Sequence, residues 1–342
     1  MTIQKAISEL IEGRSLSGEQ MVAVMREIMT GACSDAQIAG FLVALRIKGE
    51  TVDEISGAAR VMRELALPVV VSGDHLVDIV GTGGDSSGIF NVSTASTFVA
   101  AAAGCQVAKH GNRSVSSNSG AADLLEAAGV RLDLDPVQVA RCVEQLGVGF
   151  MFAQNHHAAM RFAIGPRKEL ATRTLFNLLG PITNPAGVKN QLLGVYSHQW
   201  LRPIAEVLRD LGSDHVLVVH SKDGLDEISI ADETYVAELR GGEIHEYTVT
   251  PEQFGLQRAP LAGLKVDGAQ QSLELIKQLL AGTDSAAADI VALNAGAAIY
   301  VAGVASSLAE GVVIAQDVMA SGTAGEKLKE MALVTQAMKE TQ

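Results

Sequence analysis

The sequence predicts an α/β protein with a small N-terminal helical domain, residues 1–68, and a large α/β domain, residues 69–342. Residues 1–68 carry the start and stop signals of short helices. From residue 69 onward, strand-like and helix-like segments alternate, which is typical of a mostly parallel sheet. Residues 234–250 alternate around Gly241-Gly242, which indicates an antiparallel hairpin carried by the same sheet.

The N-terminal domain is predicted to consist of four short helices. Capping boxes, in which a hydroxyl and a side chain three residues later satisfy exposed N–H groups, begin at Ser17, Ser34 and Thr51. A glycine precedes each of them, where the earlier helix should end. A later helix over residues 166–180 interrupts the sheet, and we expect it to pack on these four. The exposed face of the domain is either a subunit contact or a surface that packs on the α/β domain.

Charge and composition exclude several classes of protein. The net charge is −13, from 26 basic and 39 acidic side chains, which argues against broad binding to nucleic acid or to an anionic membrane. The 3 cysteines are widely spaced and lack a C-x-x-C pattern, so we expect reduced thiols. The N-terminus lacks a signal-peptide pattern, and no apolar run reaches the about 18 residues that a membrane span needs. We therefore expect a cytoplasmic protein.

The most informative stretch is residues 78–120. A predicted strand, residues 75–80, breaks into Gly81-Thr-Gly-Gly-Asp85, where three glycines let backbone N–H groups approach a ligand without a Cβ in the way. This motif differs from the Rossmann and P-loop fingerprints. When this segment is considered by itself, the alternative to a ligand-binding loop is a tight structural turn.

Two further segments favour a phosphate site. Asn91-Val-Ser-Thr94 lies at the mouth of an apolar helix, residues 95–103, and the start of a helix favours an anion. A second strand, residues 105–108, leads into Lys109-His-Gly-Asn-Arg-Ser-Val-Ser-Ser117, a second segment rich in cationic and hydroxyl groups. Two such anion cradles indicate a substrate with more than one phosphate group.

Three other groups of residues are candidates for a binding site. Asp226 and Glu227 follow a strand and a turn, and such a pair can hold Mg²⁺ together with phosphate oxygens and water; a solvated acidic turn is the alternative. The guanidinium of Arg167 suits a substrate carboxylate, and a surface arginine is the alternative. His156 and His157 are not expected to bind zinc, because neighbouring residues on a helix face different ways and no H-x-x-x-H partner exists.

Five blocks of the sequence resemble anthranilate phosphoribosyltransferases in order and spacing: GTGGD, NVSTAS, KHGNRSVSS, AMRFAIGPRKELATRTLFNLLGPITNP and DGLDEIS. The resemblance covers nearly the whole chain. It implies a fold of the nucleoside phosphorylase/phosphoribosyltransferase type, with a substrate cleft between the helical and α/β domains. It also implies transfer of the phosphoribosyl group of phosphoribosyl pyrophosphate (PRPP) to the amine of anthranilate, in tryptophan biosynthesis.

The two cradles and the resemblance together predict the binding residues. PRPP is expected to contact Gly81, Gly84, Asp85, Asn91, Val92, Ser93, Thr94, Lys109, His110, Gly111, Asn112, Arg113, Ser114, Val115, Ser116 and Ser117. The resemblance implies that anthranilate contacts Gly81, Asn112 and Arg167, with the two adjacent histidines nearby. It further implies Mg²⁺, two ions per subunit, at Ser93, Asp226 and Glu227, and a homodimer formed through the helical domain.

No side-chain nucleophile is expected. The aromatic amine of anthranilate is neutral and nucleophilic at pH 7, so catalysis would come from positioning and electrostatics. Two other classes stay open, a nucleoside phosphorylase and a non-enzymatic relative that binds nucleic acid. The net charge of −13 and the intact acidic pair both oppose the second.

Overall fold

The N-terminal helices form where their capping residues predict them. The computed structural model describes residues 1–84, 87–113 and 119–338 of the chain. Ser17, Ser34 and Thr51 each accept a hydrogen bond from the backbone N–H three residues on, and each capping box is complete. Within residues 1–68, all of which are described, the four predicted helices are confirmed as α1 Ile3–Ile11, α2 Gly18–Met29, α3 Asp35–Lys48 and α4 Val52–Leu65.

One sheet organises the rest of the described chain. Its strands are β1 Leu76–Gly81, β2 Gln106–Gly111, β3 Val148–Phe152, β4 Asn190–Gly194, β5 His215–Ser221, β6 Thr234–Arg240 and β7 Glu243–Val249. The order is β3-β2-β1-β4-β5-β6-β7, parallel from β3 to β5 and antiparallel for β6 and β7. The predicted α/β fold class, with its mostly parallel sheet and antiparallel hairpin, is confirmed.

Helices cover both faces of this sheet. They are α5 Val92–Ala102, α6 Ala121–Ala127, α7 Pro136–Leu146, α8 Ala153–His156, α9 Arg161–Leu170, α10 Phe176–Leu179, α11 Leu201–Asp210, α12 Ala269–Leu280, α13 Ala286–Val301, α14 Leu308–Ser321 and α15 Thr323–Ala337. No helix in residues 1–84, 87–113 or 119–338 is both long and apolar enough to cross a membrane.

Alternate residues of each central strand enter two different hydrophobic cores. On β5, Leu217 and Val219 pack with α5 and α13, whereas Val216 and Val218 pack with α11 and the N-terminal helices. The N-terminal helices therefore share a core with one face of the sheet. The boundary between the two domains at residue 68 stays a prediction.

The predicted continuous helix over residues 166–180 is wrong. The chain forms two helices, α9 and α10, and α9 begins at Arg161, so Pro166 lies inside it rather than at its start. Ala171 ends α9 in the left-handed region with φ 47°, although no glycine or proline marks a break between residues 167 and 179. Both helices contact the N-terminal domain, α9 through α2 and α3 and α10 through α4.

Candidate active site

The candidate site begins at the carboxyl end of β1, in the glycine loop, residues 81–84. Gly83 and Gly84 have φ values of 65° and 78°, a region that favours glycine because it has no Cβ. The backbone N–H of Thr82 donates to the carbonyl of Gly194 at the end of β4, at 2.9 Å. The strand therefore ends in the predicted glycine turn, and that turn is attached to the sheet.

Asp226 lies directly against two glycines. The Gly83 N–H donates to Asp226 Oδ2 at 2.7 Å. A Cβ on Gly81 would lie 2.4 Å from Asp226 Oδ2, and a Cβ on Gly194 would lie 1.6 Å from the Asp226 carbonyl oxygen. A larger residue at either position would displace Asp226. Sequence reasoning missed Gly194, although a glycine within an apolar strand is a signal of close backbone approach.

Lys109 connects the second cradle to this place. It is only 3% exposed, and its Nζ donates to the carbonyl of Ile79 at 2.5 Å and to Ser93 Oγ at 3.5 Å. Burial lowers the pKa of Lys109, while the charges of Asp78 and Glu227 oppose that shift. The glycine loop, Lys109, Ser93 and the acidic pair therefore lie around one site.

Asp78 ties together the strands that carry these groups. Its two carboxylate oxygens accept from the His110 N–H at 3.2 Å and from Asn184 Nδ2 at 2.7 Å. Asn184 Nδ2 also donates to the carbonyl of Ala108 at 2.9 Å. Burial raises the pKa of Asp78 to about 6. This network holds β1 next to β2, and the sequence patterns did not single out Asp78 or Asn184.

Three histidines next to the site are buried, and burial favours their neutral form. The rings of His110 and His157 are 5.1 Å apart between centroids, and His156 Nδ1 lies 2.9 Å from the carbonyl of Leu67. Burial lowers the pKa of His157 to about 4 and lowers the pKa of the other two as well. In the described part of the chain, no group of three or more His, Cys, Asp or Glu side chains is arranged to hold a metal ion.

The first backbone N–H groups of the helix that starts after Asn91 are partly occupied by contacts within the chain. Asn91 Oδ1 accepts from the Thr94 N–H at 3.3 Å and from the Thr94 hydroxyl at 2.7 Å. The Val92 N–H donates to the carbonyl of Phe90 at 2.8 Å. With this cap, α5 begins at Val92, three residues before the predicted start. Of this segment, it is the Ser93 hydroxyl that contacts Lys109.

The second cradle is described only in part. Gly111 ends β2, and Asn112 Oδ1 accepts from the Arg113 N–H at 2.8 Å. The Arg113 guanidinium pairs with Asp123 at 3.2 Å and with Glu126 at 2.7 Å, so a phosphate would compete with two carboxylates for it. Five predicted PRPP contacts lie outside the described residues: Asp85, Ser114, Val115, Ser116 and Ser117.

Arg167 lies on α9 and is half-buried. Its guanidinium carbon is 5.1 Å from the centroid of the Phe176 ring, and burial lowers its pKa. It makes no side-chain hydrogen bond or ion pair to any residue that the structure describes. A half-buried cation without an acidic partner favours an anionic ligand group.

Arg173, which sequence reasoning missed, connects this region with the glycine loop. It follows α9, donates from Nη2 to the carbonyl of Gly84 and lies over the ring of Tyr196. We call α9, α10 and the segment between them, with Arg167 and Arg173, the helical side of the site. The sheet side comprises the glycine loop, Ser93, Lys109, Asp226 and Glu227.

The donor set of the sheet side fits Mg²⁺. Glu227 acts on the buried Lys109 through its charge, Lys109 contacts the Ser93 hydroxyl, and the neighbouring Asp226, 9% exposed, lies against the glycine loop. Mg²⁺ prefers one or two carboxylates and takes its remaining oxygens from phosphate and water. Asp226 and Glu227 would therefore hold a magnesium ion that a phosphorylated substrate completes.

Comparison with known proteins identifies the class. Residues 4–66 match the helical bundle domain of the glycosyl transferase family, and residues 73–325 match its α/β domain. The chain therefore belongs to this glycosyl transferase family.

Individual relatives narrow the assignment. An anthranilate phosphoribosyltransferase from Cellvibrio japonicus is 60% identical over 98% of this chain and 99% of its own length, and one from Chromohalobacter salexigens is 62% identical over 99% and 98%. The Thermus thermophilus enzyme structure has a TM-score of 0.92 and 48% identity, covering 97% of this chain and 99% of its own. A Saccharomyces cerevisiae enzyme solved with PRPP and Mg has a TM-score of 0.90 and 25% identity, with 98% of each chain covered. The chain belongs to the anthranilate phosphoribosyltransferase family, which confirms the predicted family.

Proposed function

We propose that this chain transfers the phosphoribosyl group of PRPP to the amine of anthranilate, giving N-(5-phosphoribosyl)anthranilate and pyrophosphate, in tryptophan biosynthesis. Membership of the family supports this reaction. The observation that carries it is the convergence of a buried lysine, an acidic pair and a left-handed glycine turn at the ends of parallel strands. That arrangement suits a ligand with phosphate groups and a bound magnesium ion.

The residues of the sheet side are proposed to bind PRPP and its metal. Gly81, Gly84 and Lys109 meet phosphate oxygens, and the same role is proposed for Asp85, Asn91, Val92, Ser93, Thr94, His110, Gly111, Asn112, Arg113, Ser114, Val115, Ser116 and Ser117. Ser93, Asp226 and Glu227 hold Mg²⁺, with two ions per subunit. When bound, Mg²⁺ supplies charge neutralisation of the departing pyrophosphate. The buried Lys109 adds a fixed positive charge that needs no reorganisation during the reaction.

Anthranilate is proposed to bind between Gly81, Asn112 and the helical side. Arg167 pairs with its carboxylate, which is the acidic partner that the half-buried guanidinium lacks among the described residues. This pairing would hold the neutral amine for displacement of pyrophosphate at the anomeric carbon. No side chain needs to form a covalent intermediate, because the two substrates react directly once they are aligned.

A coupled assay tests the reaction. Purified protein with PRPP, Mg²⁺ and anthranilate should consume anthranilate fluorescence and release one pyrophosphate for each anthranilate consumed. Omission of PRPP is the control. Turnover of a nucleoside with inorganic phosphate, and none of PRPP with anthranilate, would overturn the proposal in favour of a phosphorylase.

The homodimer is proposed to form through the helical domain, and the cytoplasm is its proposed location. Ile11 on α1 and Ile47 on α3 are 72% and 81% exposed, and these two helices contact each other, so their apolar side chains support an interface.

The Ile47→Lys variant should sediment as a monomer under conditions in which the wild type is a dimer. Val313→Lys, at an exposed apolar position on α14, is the matched control and should remain dimeric. A monomeric wild type would contradict the proposed dimer.

A further inference from the structure

Arg173 lies in a segment to which the family match and the sequence patterns assign no role. The segment runs from Ala171 to Leu175 between α9 and α10, where the predicted continuous helix is broken. From there the guanidinium reaches the glycine loop and donates from Nη2 to the carbonyl of Gly84. A residue on the helical side thus holds a peptide group of the sheet side.

The Arg173 guanidinium is held in position by two different contacts. Its central carbon lies over the Tyr196 ring, 4.2 Å from the ring centroid, while Nη2 donates to the carbonyl of Gly84. Tyr196 is itself attached to the loop, because its backbone N–H donates to Thr82 Oγ1 at 2.9 Å. Tyr196 therefore contacts both Arg173 and the glycine loop, and Arg173 contacts the loop as well.

This contact complements those that hold the loop from the sheet side. There, Asp226 accepts from the Gly83 N–H at 2.7 Å, and the Gly194 carbonyl accepts from the Thr82 N–H at 2.9 Å. A Cβ on Gly84 would lie 3.1 Å from Arg173 Nη2, a tight contact that the guanidinium could relieve only by moving a few tenths of an ångström. The hydrogen bond from Arg173 therefore restrains the Gly84 carbonyl from the helical side.

The other end of Arg173 is anchored in the core of the helical side. Leu175 is fully buried and Phe176 nearly so, both in the hydrophobic cluster that contains the N-terminal helices. Phe176 is also the ring over which Arg167 lies. The position of the glycine loop is therefore coupled to the element that carries Arg167.

We propose that Arg173 is a positioning residue for PRPP, acting through the Gly84 carbonyl to hold the glycine loop in its ligand-binding shape. The inference rests on the proposed function, because it assumes that the glycine loop binds PRPP. Arg173 does not take part in the chemistry. Its loss lets the Gly84 peptide reorient, and the loop must then be ordered again each time PRPP binds.

The test is a comparison of steady-state kinetics and PRPP binding by calorimetry for three variants. Arg173→Ala should raise the KM for PRPP about ten-fold and leave the KM for anthranilate within about two-fold, since one charge-assisted hydrogen bond is lost. Arg173→Lys should raise the KM for PRPP less, about three-fold, because an ammonium can donate to the carbonyl but cannot stack as a plane. Tyr196→Leu should also raise it about three-fold through loss of the stacked ring.

A double variant and a control separate positioning from a general disturbance. Arg173→Ala combined with Tyr196→Leu should be no worse than Arg173→Ala alone, since both act through the same contact. Arg240→Ala, on β6 and outside both sides of the site, is the matched control: it also removes an arginine that lies over an aromatic ring, 5.6 Å from the centroid of the Tyr300 ring. Its KM for PRPP should stay at the wild-type value.

The remaining outcomes distinguish a positioning role of Arg173 from a structural role, and failure of this inference from failure of the proposed function. Equal increases in both KM values for Arg173→Ala, or an unchanged KM for PRPP with a lower melting temperature, would overturn the positioning role and leave a structural one. A wild-type protein that neither turns over nor binds PRPP would refute the proposed function itself, and this inference with it.

Discussion

The sheet side and the helical side of the site hold their charged groups in different ways. On the sheet side, Lys109 and Asp226 are buried and bonded to backbone groups of β1 and the glycine loop. On the helical side, Arg167 has an aromatic ring beneath it but no hydrogen-bond partner among the described residues. The groups proposed to bind phosphate and its metal ion are thus fixed in advance, whereas the group proposed to recognise a carboxylate lacks its partner.

This difference matches the two tasks of the proposed reaction. Charge that develops on a leaving group is best stabilised by groups that need not move, so burial and backbone contacts suit the sheet side. Recognition of a substrate carboxylate requires a charged group that can pair with it, as Arg167 can. Variants of the two sides should therefore fail in different ways.

The largest effect is expected from the acidic pair. Asp226→Asn combined with Glu227→Gln should lower Mg²⁺-dependent turnover by on the order of a thousand-fold, because the charge of the departing pyrophosphate is no longer neutralised. The fold should persist, since the Asn oxygen can still accept the bond that Gly83 donates to Asp226. Turnover at saturating Mg²⁺ and the melting temperature are the measurements.

The chain contains a matched control for this variant. Asp232 and Glu233 are also adjacent and acidic, but they pair with Arg258 and Lys222 at the surface. Asp232→Asn combined with Glu233→Gln should keep turnover within about two-fold, as expected for exposed ion pairs. Near wild-type turnover in the Asp226 and Glu227 variant would show that this pair is only a solvated turn.

A smaller effect, on the free energy of unfolding, tests whether the ring of His157, next to the site, is shielded from water. The pKa of His157 is about 4 in the folded chain, below the ordinary value of about 6.5 in the unfolded chain. Its neutral form is therefore favoured by folding, and the stability it contributes is present above pH 6.5 and is lost as the pH falls towards 4. The loss should amount to about 3 kcal/mol over this window.

The measurement is the free energy of unfolding by denaturant at several pH values, for the wild type and for His157→Gln. The variant should lack this part of the pH dependence, because glutamine does not titrate. Asp78, with its pKa raised to about 6, contributes a slope of opposite sign between about pH 4 and 6, so only the difference between the two proteins is diagnostic. Identical pH dependence in both would show that the ring of His157 is solvated.

The smallest expected effect concerns the helical side. Arg167→Ala should raise the KM for anthranilate by roughly ten- to a hundred-fold, the cost of a charge-assisted hydrogen bond of about 1.5–3 kcal/mol, and leave PRPP binding nearly unchanged. Lys109→Ala should do the reverse and weaken PRPP first. Both KM values of both variants are the measurement. If Arg167→Ala raised the KM values for anthranilate and for PRPP equally, the proposed assignment of anthranilate to the helical side and of PRPP to the sheet side would be wrong.

Features that depend on residues close together in the chain could be predicted before the structure was known. Capping boxes at Ser17, Ser34 and Thr51 mark helix starts because both partners lie within one turn. The Gly81 to Gly84 turn and the Asp226 and Glu227 pair could be selected as candidate sites because each is a short run of characteristic residue types, but residue type alone does not separate a ligand site from a structural or solvated turn. The alternation of strands and helices, also a pattern along the chain, predicted the sheet.

Contacts between residues far apart in the chain depend on how the folded segments pack, and local patterns do not predict them. Gly83 and Asp226 are 143 positions apart and Gly84 and Arg173 are 89 apart, so no local pattern reveals that they are bonded. The break at Ala171 likewise has no glycine or proline to announce it, and it occurs where the chain turns towards the glycine loop. Gly194 acquires its importance from the Asp226 backbone that packs against it. The physical reason is common to all of these features: close packing between segments sets them, and it overrides local preference wherever burial stabilises the chain more than regular helix does.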